Sequence, residues 1–299
     1  MKTYKQVLPI RNDCRIDEQF GWLPMSILEP SKESKASWKE AYLDDGENES
    51  RRSDDAEYLP GLKFSEFHAG LAEQILRYWS MKGSVVVDPF AGRATRAVVA
   101  SRMERQYEGY EISPTTYKRV TEHFKKLGVS PKLYNNDGLF LTFTDDEVAD
   151  LVFTCPPYHD IEKYESVTNQ LSDCETYEKF LKQIGYCGYH INRVLKPGAF
   201  CVWVVGDWRC PKGSGFRSFH SDLISLFTKE KLIHHDTIIM KNISPFAPLQ
   251  AGKVASKRYT SKIHEYIMVF RKEGEYEVPD YCSLDDLRVQ SNKFFDFNE

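Results

Sequence analysis

The chain has 299 residues, of which 41% are hydrophobic and 28% charged, a composition typical of a soluble globular protein with one main domain. Its longest apolar runs, such as residues 200–205, have the length of strands, so no membrane-spanning segment is predicted. Seven cysteines, an odd number without CxxC or Cys/His ligand spacing, argue against a disulfide framework and a zinc site, and no metal is expected. The first residues lack the apolar stretch of a signal peptide, from which a cytoplasmic location is expected.

The distribution of charge is more informative than its sum. A net charge of −4 argues against a protein that coats nucleic acid, because such binding depends on neutralising phosphates with Lys and Arg. Between Lys241 and Lys272, however, seven basic residues stand against one acid, Glu265. This segment is compatible with a polyanionic partner.

The first 60 residues predict an irregular arm, since they combine scattered prolines, an acidic stretch over Asp44–Glu57 and few periodic apolar positions. We predict three parts: this arm at residues 1–60, a main domain at 61–275 and a tail at 276–299. The following apolar residues of the arm are expected to pack on the main domain: Phe20, Trp22, Leu23, Ile27 and Trp38.

A helix is predicted from Phe64 to Trp79, where apolar residues recur at helical spacing and Ser65 is a suitable N-cap. Strand patterns near residues 85–88, 107–112, 132–135, 149–154 and 199–206 then alternate with helical patterns near 95–104, 114–127 and 177–195. Such alternation predicts an α/β fold with a parallel sheet covered on both faces. Two final strands near 234–241 and 265–272 have no helix between them, which predicts a C-terminal antiparallel hairpin on a mainly parallel sheet of about seven strands.

Two turns at strand ends carry the strongest functional signal: VVVDPFAG over Val85–Gly92 and VFTCPPY over Val152–Tyr158. In a doubly wound sheet, ligands bind beyond the carboxyl ends of the strands. Gly92 lets the backbone approach a ligand, and the N-terminus of the next helix offers N–H groups to a carboxylate. Because this loop has neither GxGxxG nor GxxxxGK[ST], an amino-acid moiety suits it better than a diphosphate.

Acids follow the next two strands. Glu111 stands about 20 residues beyond the glycine turn, the spacing at which an acid reaches ribose hydroxyls in dinucleotide folds. Asp137 follows the third strand and is predicted to accept a hydrogen bond from an adenine amino group in the same way.

With these motifs the sequence resembles the DNA amino-methyltransferases, which make N4-methylcytosine or N6-methyladenine, and is most similar to phage and prophage DNA methylases. DPFAG resembles their cofactor motif I, TCPPY their catalytic motif IV, and FSEFHAGLAEQIL the helix of motif X; the resemblance covers roughly residues 60–272 and includes LKPGAFCVWVVGDWR. It implies a Rossmann-like class I methyltransferase fold, S-adenosyl-L-methionine as cofactor, and a DNA substrate, expected to be a duplex with the target base flipped out. A restriction partner and a homodimer are both left open.

The resemblance also assigns site residues. Asp88–Gly92 are expected to hold the methionine part of the cofactor, Glu111 the ribose and Asp137 the adenine, while Cys155, Pro156, Pro157 and Tyr158 form the transfer site. The predicted cofactor residues are Phe67, Asp88, Pro89, Phe90, Ala91, Gly92, Glu111, Asp137 and Thr154.

The chemistry of TCPPY supports this assignment independently. An exocyclic amine is a poor nucleophile, because its lone pair is delocalised into the ring, so acceptors for its N–H protons are needed. The side chain at position 155 and a backbone carbonyl of the stiff Pro156–Pro157 turn are available. Tyr158 is expected to stack on a base extruded from the duplex.

Cys155 departs from the family pattern, which usually has Asp, Asn or Ser before Pro-Pro. A thiol accepts hydrogen bonds less well than these side chains, so backbone activation must contribute more. A thiolate that attacks a pyrimidine ring carbon is the rival role, although the C5-methyltransferases have the order Pro-Pro-Cys. The target base stays open, with the neutral Cys155 favouring cytosine N4 over adenine N6.

Two further functions remain open. One is the same chemistry on RNA guanine N2 or another RNA amine, and the other is a non-methylating binding or modification protein on the same scaffold. The residues predicted to contact the substrate are Tyr158, His159, Lys253, Lys257 and Arg258, and further loop residues beside them are Asp160, Lys163, Asp207, Trp208 and Arg209.

Overall fold

The computed structural model describes residues 25–30, 37–43, 67–159, 167–210, 215–241, 255–256 and 258–274. The strands are β1 (Ile27–Leu28), β2 (Val85–Asp88), β3 (Gln106–Tyr110), β4 (Lys132–Tyr134), β5 (Ala149–Thr154), β6 (Leu195–Val205), β7 (Trp208–Arg209), β8 (Phe216–Arg217), β9 (Leu232–Lys241) and β10 (His264–Lys272). The helices are α1 (Ala69–Trp79), α2 (Thr95–Arg102), α3 (Pro114–Leu127), α4 (Tyr177–Val194) and α5 (Phe219–Lys229), with 3₁₀ turns at Lys39–Ala41 and Leu171–Asp173.

Eight strands form one sheet in the order β1-β9-β10-β6-β5-β2-β3-β4. β6, β5, β2, β3 and β4 are parallel to one another, whereas β10 is antiparallel to both β6 and β9. The carboxyl ends of β2, β3, β4, β5 and β6 therefore meet at one edge of the sheet, together with the start of β10. The order of the strands reverses between β2 and β5, which is where ligands bind in such folds.

The central strands of the sheet are buried on both faces, as their apolar sequences require, whereas residues 233–236 of β9 are exposed. Along β2 and β5 the side chains alternate: Val86, Leu151 and Phe153 pack in one core with α1 and α2, while Val87 and Val152 pack in the other with α4 and α5. Because the strand period is two residues, this register fixes which side chains point to each helical layer.

Local sequence explains where the helices begin. α3 begins with Pro114 at its first position, and the hydroxyl of Ser113 accepts a hydrogen bond from the Thr116 N–H. Thr176 caps α4 in the same way through the Lys179 N–H. α2 is different, because it follows Ala94 in the left-handed conformation and receives no side-chain cap.

The predicted fold is confirmed, apart from the helix α5 (Phe219–Lys229), which was not predicted, and four differences in detail. α1 begins at Ala69 rather than Phe64, and its cap is His68, whose Nδ1 accepts from the Leu71 N–H, instead of Ser65. β6 begins at Leu195, before its predicted start at residue 199. Finally, β7 and β8 form a small antiparallel pair that the sequence pattern did not predict.

The fourth difference is at the edge of the sheet, where β1 pairs in parallel with β9 as an eighth strand. Its Leu28 is buried, whereas Ile27, predicted to pack on the main domain, is 57% exposed. Trp38 does contact the domain, through a hydrogen bond from its indole N–H to Glu73. Phe20, Trp22 and Leu23 lie outside the described residues, and the division into three parts stays a prediction. In the described portion of the chain, no helix is long and apolar enough to cross a bilayer.

Candidate active site

One cleft opens at the carboxyl edge of the sheet between β2 and β5, with about 1090 Å³ of empty space including its part open to solvent. Both predicted turns line it: Pro89–Gly92 on one side and Cys155–Tyr158 on the other. Acidic and polar residues from the ends of β3 and β4 complete the wall. The two motifs thus share a single pocket, as their places at adjacent strand ends predict.

The buried carboxylate of Asp88 lies beneath the cleft and connects the two turns. Asp88, at the end of β2, is 0% exposed, and its Oδ1 accepts hydrogen bonds from the Phe90 N–H (3.0 Å) and the Thr154 hydroxyl (2.6 Å). Its Oδ2 accepts from Arg96 Nε (2.7 Å) and the Tyr107 hydroxyl (2.8 Å). Asp88 therefore connects the first turn, β5 and α2 in one network.

Arg96 balances this buried charge. Burial by itself lowers the pKa of its guanidinium, but the charge of Asp88 more than offsets this, so the net pKa lies above the ordinary value. The guanidinium also lies over the rings of Phe67 (4.9 Å) and Phe153 (5.9 Å). Arg96 is consequently charged at every physiological pH and holds Phe67 at the cleft.

The first turn has the backbone that a carboxylate-binding loop needs. Gly92 has φ +57° and Ala94 has φ 78°, and the turn is fastened by the Ala91 N–H, which donates to the Tyr110 carbonyl at 2.9 Å. Since Ala94 has no polar side chain, the first-turn N–H groups of α2 receive no side-chain cap. Gly92, Arg93, Thr95 and Arg96 all line the cleft, so these donors lie at its wall.

Carboxylates stand at the ends of the next two strands, as predicted. Glu111 lines the cleft and its Oε1 accepts from the Ser113 N–H at 2.7 Å. Asp137 also lines it and accepts from the Leu139 N–H (2.9 Å) and the Asn169 amide (3.1 Å). Burial raises the pKa of the Asp137 carboxyl, although these two hydrogen bonds lower it in part.

Gly138 explains how Asp137 reaches the first turn. A β-carbon at this position would lie 1.8 Å from the Pro89 carbonyl oxygen, far inside van der Waals contact. Only glycine permits the two backbones to approach so closely. The Asp137–Gly138 loop and the DPFAG turn are therefore packed directly against each other.

The TCPPY turn forms the opposite wall. Cys155, whose thiol is not in a disulfide, lines the cleft together with Pro156, Pro157 and Tyr158. The Tyr158 ring packs edge-on against Trp208, with centroids 5.3 Å apart. This contact holds the tyrosine at the open end of the pocket.

Gly206, just beyond β6, makes room at the same end. A β-carbon there would lie 2.3 Å from Lys262 Nζ and 3.2 Å from the Tyr158 hydroxyl. Lys262 Nζ donates to the Asp207 carbonyl at 2.7 Å, and burial lowers the pKa of this ammonium. A lysine that the sequence reading missed thus lies beside Tyr158.

Three predicted residues occupy other positions than expected. Asp88 and Thr154 lie beneath the cleft, fully buried in the network above, so they shape the site instead of lining it. His159 is 5% exposed and points away from the cleft: its Nε2 contacts the Cys174 carbonyl at 2.9 Å and its ring packs on Tyr177 and Phe180. His159 is therefore not among the residues that line the cleft, and its binding of substrate stays a prediction.

The other predicted residues divide between cleft and surface. The cleft is lined by the Cys155–Tyr158 turn and by the following predicted cofactor residues: Phe67, Pro89, Phe90, Ala91, Gly92, Glu111 and Asp137. Arg258 is exposed on the loop before β10. Lys253, Lys257, Asp160 and Lys163 lie outside the described residues. Among the residues that the structure describes, no group of three or more His, Cys, Asp or Glu side chains is placed to hold a metal ion.

Sequence reasoning missed Arg96, Tyr110, Asn169 and Lys262. The signal for Arg96 was present, since an Arg directly before the apolar residues 97–100 of α2 is expected to need a partner if it is buried. Asn169 had no signal, because it reaches Asp137 from a turn 32 residues along the chain.

Comparison with known proteins agrees with this geometry. The sequence model of a family described as DNA methylase matches residues 15–122 and 149–295. The type II methyltransferase M.MjaI of Methanocaldococcus jannaschii is 30% identical over 168 residues, covering 47% of this chain and 55% of the relative. M.MthZI of Methanothermobacter thermautotrophicus is 23% identical over 159 residues, covering 48% and 45%. The chain spans about half the length of these curated relatives.

Among solved structures, the [4+2]-cyclase SpnF has a TM-score of 0.50 at 15% identity, covering 79% of this chain and 88% of the cyclase. This likeness shows a shared fold and leaves the reaction undetermined, because one fold supports different chemistries. The family match extends over both strand-end turns, the segment of β3 with Glu111 and the C-terminal strands. This chain belongs to the DNA methylase family.

Proposed function

We propose that the protein transfers a methyl group from S-adenosyl-L-methionine to an exocyclic amino group of a base in DNA. The observation that carries the proposal is the single cleft between the DPFAG and TCPPY turns. A methyl donor held by the first turn and an amine held by the second would meet inside it, and holding reactants in this way converts a bimolecular reaction into an effectively unimolecular one.

The residues of the first turn fit the donor. The uncapped N–H groups of α2 suit a carboxylate, Glu111 suits the ribose hydroxyls, and Asp137 suits an adenine amino group. The apolar side chains of Phe67, Phe90 and Leu139 supply surface for a flat ring. When bound, S-adenosyl-L-methionine supplies an activated methyl group on a sulfonium centre.

The second turn prepares the amine. Pro156 and Pro157 have fixed φ angles and no N–H. A backbone carbonyl of this stiff turn therefore accepts a hydrogen bond from the amino group without rearrangement. Drawing the N–H proton toward this acceptor leaves more electron density on the nitrogen, which favours its pyramidal, nucleophilic form. After transfer, the extra proton of the amine passes to solvent through the open end of the cleft.

Tyr158 positions the base. Its ring lines the cleft and is held by Trp208, which places it where a base inside the cleft could stack on it. An amino group inside a duplex cannot reach the cleft, which implies that the base is extruded before reaction.

The target base is inferred from Cys155. A neutral thiol resembles the Ser of N4-cytosine enzymes more than the Asp of N6-adenine enzymes, so we propose cytosine N4 as the acceptor. A thiolate mechanism at a ring carbon is disfavoured, because the Cys-Pro-Pro order differs from that of C5 enzymes and the guanidinium of Arg96 is bound to Asp88.

Calorimetric titration of S-adenosyl-L-methionine, followed by transfer of a tritiated methyl group to unmodified duplex DNA and to RNA, tests the proposal. We expect saturable cofactor binding and label in duplex DNA, recovered as N4-methylcytosine. Label in RNA alone, label at cytosine C5, or cofactor binding without transfer to any DNA would refute it.

A further inference from the structure

A small exposed stack of planar side chains lies beside the acceptor end of the cleft. The Arg209 guanidinium is 3.8 Å from the centroid of the Tyr259 ring and 5.2 Å from that of Phe216. Both rings are unusually open for their size, at 42% and 49% exposure. We call Arg209, Phe216 and Tyr259 the planar stack.

The fold brings these residues together from separate segments. Arg209 and Phe216 face each other across the β7–β8 pair, and Tyr259 comes from the loop before β10. Trp208, the neighbour of Arg209, is 6% exposed and contacts Tyr158. Since side chains alternate along a strand, Trp208 points into the site while Arg209 points outward. The planar stack thus adjoins the acceptor side of the cleft, because Arg209 is the chain neighbour of Trp208, which contacts Tyr158.

The charge of this surface matches a polyanion. Neither Arg209 nor Arg258 has a carboxylate within salt-bridge distance among the described residues, and both are exposed. Two acids next to these segments have other partners: Asp207 is 4% exposed and bound to His220, and the charge of Glu265 acts on Lys262. An arginine that lies over two aromatic rings and has no carboxylate partner among the described residues suits a ligand that offers both phosphates and planar bases.

We propose that the planar stack is a DNA contact that receives a base or phosphate next to the extruded target. Stacking of a nucleic acid base on an aromatic side chain tolerates any sequence, since every base has a planar face. The proposal rests on the proposed function and deepens it, because it names the surface that holds the duplex while the target base occupies the cleft.

The test uses fluorescence anisotropy with the full chain, S-adenosyl-L-homocysteine, and a labelled duplex of mixed sequence in matched and single-mismatch forms. The variants are R209A, R209K, F216A and Y259A. The control variants are Y189A, which removes an aromatic residue that is 57% exposed on α4, and K125A, which removes an exposed cation on α3. Melting temperature and cofactor affinity show whether each variant is folded.

We expect F216A and Y259A to weaken binding of the mismatched duplex by about 5- to 100-fold, the range for loss of one base stack. Their salt dependence should equal that of wild type, whereas R209A should reduce the salt slope by about one and R209K should restore it. Y189A and K125A should bind as wild type does.

The outcomes separate the two proposals. If wild type binds and methylates duplex DNA but the three alanine variants do so within twofold of wild type, the planar stack is not a DNA contact and the proposed function stands. If wild type binds cofactor yet neither binds nor methylates DNA, both proposals fail. Binding of RNA or of protein alone at this surface would also overturn the DNA contact.

Discussion

The hydrogen bond from Thr154 to Asp88 is a buried side-chain link between β5 and β2, the paired strands that carry the two turns, and T154V tests it. Valine has nearly the same shape as threonine and favours strands, so the substitution removes the hydroxyl donor and little else. The hydroxyl is 2.6 Å from Asp88 Oδ1, and both residues are 0% exposed. No water can replace the lost donor without opening the core.

The expected cost follows from the charge of the acceptor. A hydrogen bond to a charged group contributes roughly 1.5–3 kcal/mol, and a buried acceptor left unsatisfied costs a similar amount. Asp88 keeps three other donors, including Arg96, so its charge stays compensated and the larger penalty of about 3–5 kcal/mol for breaking a buried ion pair does not apply. We therefore expect T154V to lower the free energy of unfolding by about 1.5–3 kcal/mol.

Urea denaturation measures this free energy, provided that the slope with denaturant is unchanged. T154S keeps the donor and should lose only a buried methyl group, worth about 0.8 kcal/mol. T228V, at an exposed position of α5, should stay within about 0.5 kcal/mol of wild type. A T154V protein as stable as T228V would refute the idea that this hydrogen bond joins the two turns.

Three further predictions concern the cleft. Y158A should abolish methyl transfer while cofactor affinity in calorimetry changes less than about threefold, because the ring is assigned to the base and not to the donor; equal loss of both would contradict that division. G138A should weaken cofactor binding and lower the free energy of unfolding, since its β-carbon would lie 1.8 Å from the Pro89 carbonyl oxygen. The control is G185A in α4, whose β-carbon would make an ordinary 3.7 Å contact, so this variant should be as stable as wild type or more stable. Burial raises the pKa of Asp137, so its carboxylate should be protonated at a higher pH than that of an ordinary aspartate, and cofactor affinity should fall as pH decreases through this range. D137N should bind the cofactor with an affinity that no longer falls there. An identical dependence of cofactor affinity on pH in both proteins would refute the assignment.

Much of the fold could be predicted, because its signals are local. The alternation of buried strands with amphipathic helices requires a covered parallel sheet, and two Pro-containing turns at strand ends require a site at one edge. The end of β2 at Asp88 and the end of β5 at Thr154 both matched the pattern. The cleft residues of the DPFAG and TCPPY turns followed from the same logic.

What the sequence could not supply depends on contacts between distant segments. The burial of His159 depends on Cys174, Tyr177 and Phe180, none of which is coupled to it by any local pattern. The two-residue strand β1 is too short for a periodic signal and exists only because β9 offers it an edge. The role of Asp88 in joining the two turns could not be predicted, because its partner Thr154 lies 66 residues away along the chain.

The central claim is that the two turns hold a methyl donor and a base amine in one cleft. The most direct measurement is mass spectrometry of the nucleosides in DNA from a methylation-deficient host that expresses either the wild-type chain or Y158A. The account predicts N4-methylcytosine in DNA from the wild-type strain and none from the Y158A strain. Unmodified DNA from both strains, with wild-type protein that is folded and binds S-adenosyl-L-methionine, would contradict it.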